Sequence, residues 1–179
     1  ADVVQAGQYL SFTLGDEDYG IDILKVKEIR GWEAVRPLPD TPVYVKGVLD
    51  LRGSILPIID MRMRFNLENA EYIATTVTIV LSIQLRGRPY QMGIVVDGVS
   101  DVLDIQERDI SAAPSLGKKI DTRYIMGMVS LDERVVLLLD VDNLLDPDEL
   151  ESLGDVGGGE AGNAGLDSAL SGRKNFLTR

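Results

Sequence analysis

A mainly β chain, organised as two copies of one small closed unit, is expected from three features of this 179-residue sequence. Several segments alternate apolar and polar side chains with period two, the pattern of a strand with one covered face. A stretch of the first half recurs without a gap in the second. Helical spacing is scarce.

From Gln8 to Leu14, Leu10, Phe12 and Leu14 alternate with polar neighbours, so a half-buried strand is expected, closed by a turn at Gly15-Asp16-Glu17-Asp18. Ile23, Val26 and Ile29 have the spacing of a short helix. Ser54 to Asp60 is apolar and β-branched and reads as a strand. Val77 to Leu85 has the clearest alternation: Val77, Ile79, Leu81, Ile83 and Leu85 share one face, while Thr78, Ser82 and Gln84 fall on the other. Arg86-Gly87-Arg88-Pro89 ends it as a turn, and Met92 to Val96 and Arg134 to Leu139 fit further strands. Asp146-Pro147-Asp148-Glu149 combines an N-cap, a proline at the first helical position and acids in the first turn, so a last helix is expected near Pro147 to Leu153.

The repeat lays Tyr44 to Asp60 over Tyr124 to Asp140, with Tyr44 on Tyr124, Gly47 on Gly127, Leu51 on Leu131 and Asp60 on Asp140. Hydrophobic class is kept almost throughout. More loosely, Tyr19 to Ile29 lies over Tyr90 to Val102, setting Val26 against Val99 and Glu28 against Asp101. Each copy is expected to close on itself, because closure removes exposed sheet edges, leaving a groove between two lobes. Residues 1–153 are expected to form one domain, with lobe cores about 20–70 and 80–145 and the termini free to exchange between lobes. Residues 154–179 begin with a Gly-rich run that reads as a disordered linker or tail.

Composition excludes several function classes. No apolar run approaches the roughly 18 residues of a spanning helix, and the start lacks a basic-then-apolar leader, so a soluble, cytoplasmic chain without direct membrane insertion is expected. A net charge of −11 repels phosphate backbones and anionic headgroups, which argues against nucleic acid. The chain has no Cys and no His. Disulfides, thiolate catalysis, the usual base of a nucleophilic triad and the commonest metal ligand are therefore missing.

Local motifs fail in turn. Asp140-Val141-Asp142 opens like a calcium loop, but Leu144 and Leu145 stand where an oxygen ligand and a glycine are required. Gly157-Gly158-Gly159 has no Gly-Lys-Ser/Thr after it, and no nucleophile elbow is present. Asp97, Asp101 and Asp104 read as a solvated acidic face, and Asp60, duplicated at Asp140, as structural. No cofactor, metal site or catalytic residue is expected, which leaves an enzyme as the remote alternative.

Two residues stand apart. The hairpin of the first copy reads Asp50-Leu51-Arg52-Gly53 and that of the second Ser130-Leu131-Asp132-Glu133, so the Arg-Gly pair is not a demand of the repeated fold. Arg52 is accordingly a candidate for recognition. Glu28 is its expected ionic partner; the alternative is an ordinary surface ion pair of small net worth.

Leu14-Gly15-Asp16-Glu17-Asp18-Tyr19-Gly20-Ile21-Asp22-Ile23-Leu24-Lys25-Val26, followed by Glu28-Ile29-Arg30-Gly31, closely resembles the opening of CheW-family chemotaxis coupling proteins. So do Lys46-Gly47-Val48-Leu49-Asp50-Leu51-Arg52-Gly53 with Pro57-Ile58-Ile59-Asp60, and Gly93-Ile94-Val95-Val96-Asp97-Gly98-Val99-Ser100-Asp101-Val102-Leu103. The resemblance runs from about Gln8 to Leu153. It implies two tandem small SH3-like β-barrel subdomains and a non-catalytic adaptor role. The implied partners are the cytoplasmic tip of a chemoreceptor and the regulatory domain of a CheA-type histidine kinase, with recruitment to the inner face of the membrane through receptor arrays. By the same resemblance Val26, Glu28, Gly47, Arg52, Val77, Gly93 and Val99 match positions of receptor coupling; the kinase-facing residues stay unassigned. The three valines read equally as core, and the two glycines as backbone devices. Asp50 departs from the Asn usual before Leu-Arg-Gly, and Met61 from the common Leu. A chain that opens on this pattern and ends in a linker is expected to be free-standing. The alternatives are a CheW-like fragment of a CheA-type kinase and a CheV-like adaptor without its receiver.

Overall fold

The computed structural model describes residues 6–65, 67, 71–112 and 124–144. Among these, eleven strands run β1 Gly7–Leu14, β2 Glu17–Asp22, β3 Val26–Gly31, β4 Val45–Leu51, β5 Ser54–Asp60, β6 Val77–Leu85, β7 Arg88–Val96, β8 Gly98–Ile105, β9 Ile110–Ser111, β10 Ile125–Leu131 and β11 Arg134–Leu139. A single α-helical turn, α1 (Met61–Arg64), follows β5. The expected helix near Pro147 to Leu153 and the Gly-rich stretch after it lie outside the described residues.

Hairpins form where the sequence supplies turn residues. Leu51 pairs with Ser54, and Leu85 with Arg88, so Arg52-Gly53 and Arg86-Gly87 are two-residue loops. Both residues of each loop have positive φ, 52° and 88° in the first and 54° and 80° in the second. This matches the right-handed twist of the flanking strands. Ile23, Val26 and Ile29 do not share a helix. Ile23 to Lys25 is a single 3₁₀ turn capped by the Asp22 carboxylate, which accepts from Leu24 N at 2.9 Å, while Val26 and Ile29 lie in β3. Their β-branched side chains suit a strand paired with β6 better than a short isolated helix.

The strands make two sheets, ordered β8-β1-β2-β11-β10-β9 and β3-β6-β7-β5-β4. Their registers superpose. Gly47 opposes Ile58, which opposes Gly93 on a parallel strand; Gly127 opposes Leu138, which opposes Gly20 in the same way. A register shift interrupts each hairpin at the same place, between Val45 and Gly47 and between Ile125 and Gly127. Val26 pairs with Leu81 and Val99 with Phe12. Thus β3, β4, β5, β6 and β7 correspond to β8, β10, β11, β1 and β2. The duplicated unit is five strands, and its first hairpin is exchanged: β1–β2 completes the sheet of β8, while β6–β7 completes the sheet of β3. Sheet membership therefore divides the chain differently from the expected lobe cores. Residues 80–96, expected in the second, belong to the five-stranded sheet with β3, β4 and β5. A cut between about 70 and 80 follows chain order, whereas the pairing follows the exchange.

The largest apolar cluster lies between the two sheets. Leu10, Phe12, Leu14, Tyr19 and Ile21 from one sheet meet Ile59, Ile79, Leu81, Ile83, Met92 and Ile94 from the other. The odd-numbered face of β6 is thus the covered face, as its alternation predicts, but Thr78 and Val80 are buried as well. They join Leu56, Ile58 and Val95 on the opposite, inner face of the five-stranded sheet. Inside the six-stranded sheet, Tyr9, Ile105, Val129, Val136 and Leu138 form a second cluster. Arg64 sits between the duplicated tyrosines, 5.0 Å from the ring centre of Tyr44 and 5.2 Å from that of Tyr124, whose hydroxyl accepts from Nη2.

Candidate functional site

The seven candidate residues fall into two groups on the five-stranded sheet and its junction. Gly47, Ile58, Gly93, Val80 and Glu28 form one row across all five strands, β4 to β3. Laterally paired residues point to the same face, so Glu28 shares its side of the sheet with the buried Ile58 and Val80. The glycines make this row possible. A Cβ on Gly93 would lie 2.7 Å from Ile58 Cδ1, and one on Gly47, where φ is +143°, would run into the Arg36 carbonyl oxygen. Both are buried, so they shape the lobe and offer no side chain for contact.

Val26, Val77 and Val99 form the other group, each half-buried against the cluster between the sheets. Val26 and Val77 sit at opposite ends of the β3–β6 pairing, opposite Leu81 and Gly31. Val99, the second residue of β8, lies opposite Phe12. These valines are part core and part rim of the boundary between sheets.

Arg52 and Glu28 meet. Both terminal nitrogens of Arg52 donate to Glu28 Oε1 at 3.1 Å, while Arg30 Nη1 donates to Oε2 at 2.9 Å and Arg30 Nη2 to Glu33 at 2.6 Å. Donation from Arg30, then from Arg52, holds the Glu28 carboxyl below its ordinary range. The link joins the tip of the β4–β5 hairpin to the edge strand β3, so it closes the open sheet. The second lobe has a counterpart two positions along its hairpin, where Arg134 lies 3.5 Å from Asp101 on the edge strand β8. A cation at the hairpin tip is thus a recurrent closing device, which the loop comparison at Arg52-Gly53 alone does not reveal. The two differ in presentation: the Arg52 side chain is 72% exposed and that of Arg134 35%. Arg30 was legible as the same-face neighbour of Glu28 two residues on, a spacing that only the strand, not the expected helix, makes relevant.

Beside this site is a buried polar cluster. The Asp60 carboxylate caps α1 by accepting from Arg62 N, is gripped by Arg62 Nε and Nη2 at 2.9 and 3.0 Å, and accepts from the Tyr72 hydroxyl at 2.6 Å. Burial pushes this carboxyl up, but the Arg62 and Tyr72 hydrogen bonds outweigh it and hold it below the usual range. Arg62 Nη1 reaches on to Asp97 at 3.0 Å, whose other oxygen accepts from Gly15 N at 2.7 Å. Asp97 is therefore bound into the structure, and the reading of a solvated acidic face does not hold for it. Tyr72 is stacked on Trp32 with ring centres 4.3 Å apart. Among the described residues no group of acids is placed to hold a metal ion, and no helix is long and apolar enough to cross a membrane.

Comparison with known proteins places this geometry in a family. The model of the CheW-like domain matches residues 8–149. The chain is 45% identical over 149 residues to the chemotaxis protein CheW of Klebsiella aerogenes, covering 83% of this chain and 87% of that protein. It is 33% identical to the chemotaxis protein CheW of Rhizobium meliloti, covering 81% and 91%. The crystal structure of the scaffolding protein TtCheW from Thermoanaerobacter tengcongensis is similar with a TM-score of 0.70 at 27% identity, over 79% of this chain and 94% of that one. Two β lobes, a duplicated hairpin unit and a match spanning both lobes lead to one conclusion: the chain belongs to the CheW family.

Proposed function

We propose that this chain is a non-catalytic adaptor of chemotaxis signalling that holds the cytoplasmic tip of a chemoreceptor on one surface and the regulatory domain of a CheA-type histidine kinase on another. It works in the cytoplasm, at the inner face of the membrane, through the receptors it binds. One observation carries the reading: Arg52 projects a largely exposed guanidinium whose position is fixed by two hydrogen bonds to Glu28, itself held by Arg30. A charge held in place before binding loses less freedom on contact than a mobile one. Arg52 and Glu28 are proposed to touch the receptor, with Val26, Val77 and Val99 as the apolar border and Gly47 and Gly93 as the residues that set the backbone.

Arg52→Asn separates recognition from folding, because Asn accepts the positive φ of 52° at that turn position while the charge is lost. Co-sedimentation with receptor-containing membranes, with and without the kinase, is the test. Wild type is expected to pellet and to bring the kinase with it; Arg52→Asn is expected to bind at least about tenfold more weakly with a nearly unchanged denaturation midpoint. Equal binding by the variant removes Arg52 from the interface, and failure of wild type to pellet removes the adaptor reading.

A further inference from the structure

Besides the apolar cluster between the sheets and Arg64, which donates to the Leu144 carbonyl oxygen and the Tyr124 hydroxyl, a pair of charge-reversed clamps at equivalent places joins the two lobes. Gly15 stands three residues beyond Phe12 and Gln84 three beyond Leu81, and Phe12 and Leu81 are equivalent by their pairing to Val99 and Val26. Each backbone N–H donates to a carboxylate: Gly15 to Asp97 at 2.7 Å, Gln84 to Asp142 at 2.9 Å. Each carboxylate also binds a cation. Arg62, two residues after Asp60, donates to Asp97 at 3.0 Å, and Lys25 donates to Asp142, two residues after Asp140, at 3.0 and 3.2 Å. In the first clamp the acid lies on the β7–β8 crossover and the cation follows β5. In the second the cation precedes β3 on the β2–β3 crossover and the acid follows β11. Both clamps tie an exchanged hairpin of one sheet to the turn that follows the last strand of the duplicated unit in the other.

They are unequal in strength. Arg62 is 3% exposed and forked on Asp60, with a further bond of 2.6 Å to the Glu71 carbonyl oxygen. Asp97 is 36% exposed, so the difference lies in the cations: Arg62 is buried and shared among Asp60, Asp97 and the Glu71 carbonyl oxygen, whereas Lys25, 26% exposed beside a 31% exposed Asp142, is a lone ammonium on a flexible stem and is screened by solvent. The exchange of hairpins is reciprocal, so the two clamps occupy equivalent places in it. We infer that the lobes rock about the Arg62–Asp97 clamp as pivot and part at the Lys25–Asp142 clamp, which acts as a salt-sensitive latch.

The two amides report the two clamps separately. Hydrogen exchange of the full chain is expected to be faster at Gln84 than at Gly15, and to accelerate with added salt at Gln84 alone. Lys25→Ala is expected to raise exchange at Gln84 about tenfold and leave Gly15 unchanged, as for a local opening that spares the pivot. Because the chain has no cysteine, Ser54→Cys and Ser130→Cys, both exposed, give each lobe one spin label. The distance distribution between them is expected to broaden in Lys25→Ala. An unbroadened distribution, or equal acceleration at Gly15 and Gln84, overturns the pivot and latch.

Discussion

Two glycines of the transverse row differ in what surrounds them, and the difference predicts different rescue. At Gly93 an added methyl meets the far end of Ile58, 2.7 Å away, and Thr78 Cγ2 at 3.0 Å. Gly93→Ala is expected to lose about 1–3 kcal/mol through overpacking, and Ile58→Val in the same chain to restore part of it. At Gly47 the obstacle is the backbone of Arg36 and Pro37, which no side-chain trim relieves, so Gly47→Ala is expected to be the more damaging and to resist second-site repair. Urea denaturation of the single and double variants measures both. The sequence shows these residues as glycines inside strands, a sign of close approach. It does not show which neighbour approaches, because the Ile58–Gly93 contact joins parallel strands far apart in the chain.

At the scale of elements, α1 and the end of β5 are organised by one carboxylate. Asp60 accepts from three nitrogens of Arg62 and from the Tyr72 hydroxyl while fully buried. Asp60→Asn is expected to cost about 3 kcal/mol at neutral pH, since it leaves a buried guanidinium without its full counter-charge. The sign of the pH effect follows from the lowered acidity range of this carboxyl in the folded chain. The native state favours the charged form more than the unfolded chain does, so the stabilisation is present above the ordinary carboxylate value of about 4 and is lost as pH falls through the lower folded value. Denaturation midpoints of wild type and Asp60→Asn are therefore expected to converge on acidification; a gap that stays constant to pH 3 assigns the loss to packing instead.

The strands themselves were readable from alternation, and β5 and β11 occupy the limits their apolar runs suggest. The β3 segment was not. Its partly covered positions are Val26, Glu28 and Arg30, a period of two hidden because two of the three are charged and satisfied by each other. An apolar count sees only Ile23, Val26 and Ile29, of which Ile29 is exposed. Buried or half-buried ion pairs defeat hydrophobic periodicity wherever they replace apolar side chains on the covered face.

For the molecule as a whole, the repeat in the sequence correctly announces two equivalent units, while the exchange of hairpins is invisible to it, since swapped and unswapped arrangements use the same pairings between the same residue types. The exchange has a consequence for cooperativity. Residues 26–96 contain every strand of the five-stranded sheet, which on chain continuity alone resembles a unit able to unfold by itself. Its outer face, however, is covered by Leu10, Phe12, Leu14, Tyr19 and Ile21 of the other sheet, which among the described residues are buried in that same shared cluster. Loss of either sheet exposes the shared cluster of the survivor, so neither is expected to persist alone. Trp32, the single tryptophan, reports on the five-stranded sheet through its stack on Tyr72 and its bond to the Thr76 carbonyl oxygen, whereas far-ultraviolet circular dichroism reports on both sheets. Urea unfolding followed by the two signals is expected to give one midpoint and one slope, the signature of a two-state transition. A tryptophan transition that runs ahead of the dichroism would mean that the five-stranded sheet opens first, and that the cluster between the sheets contributes less to its stability than its burial implies.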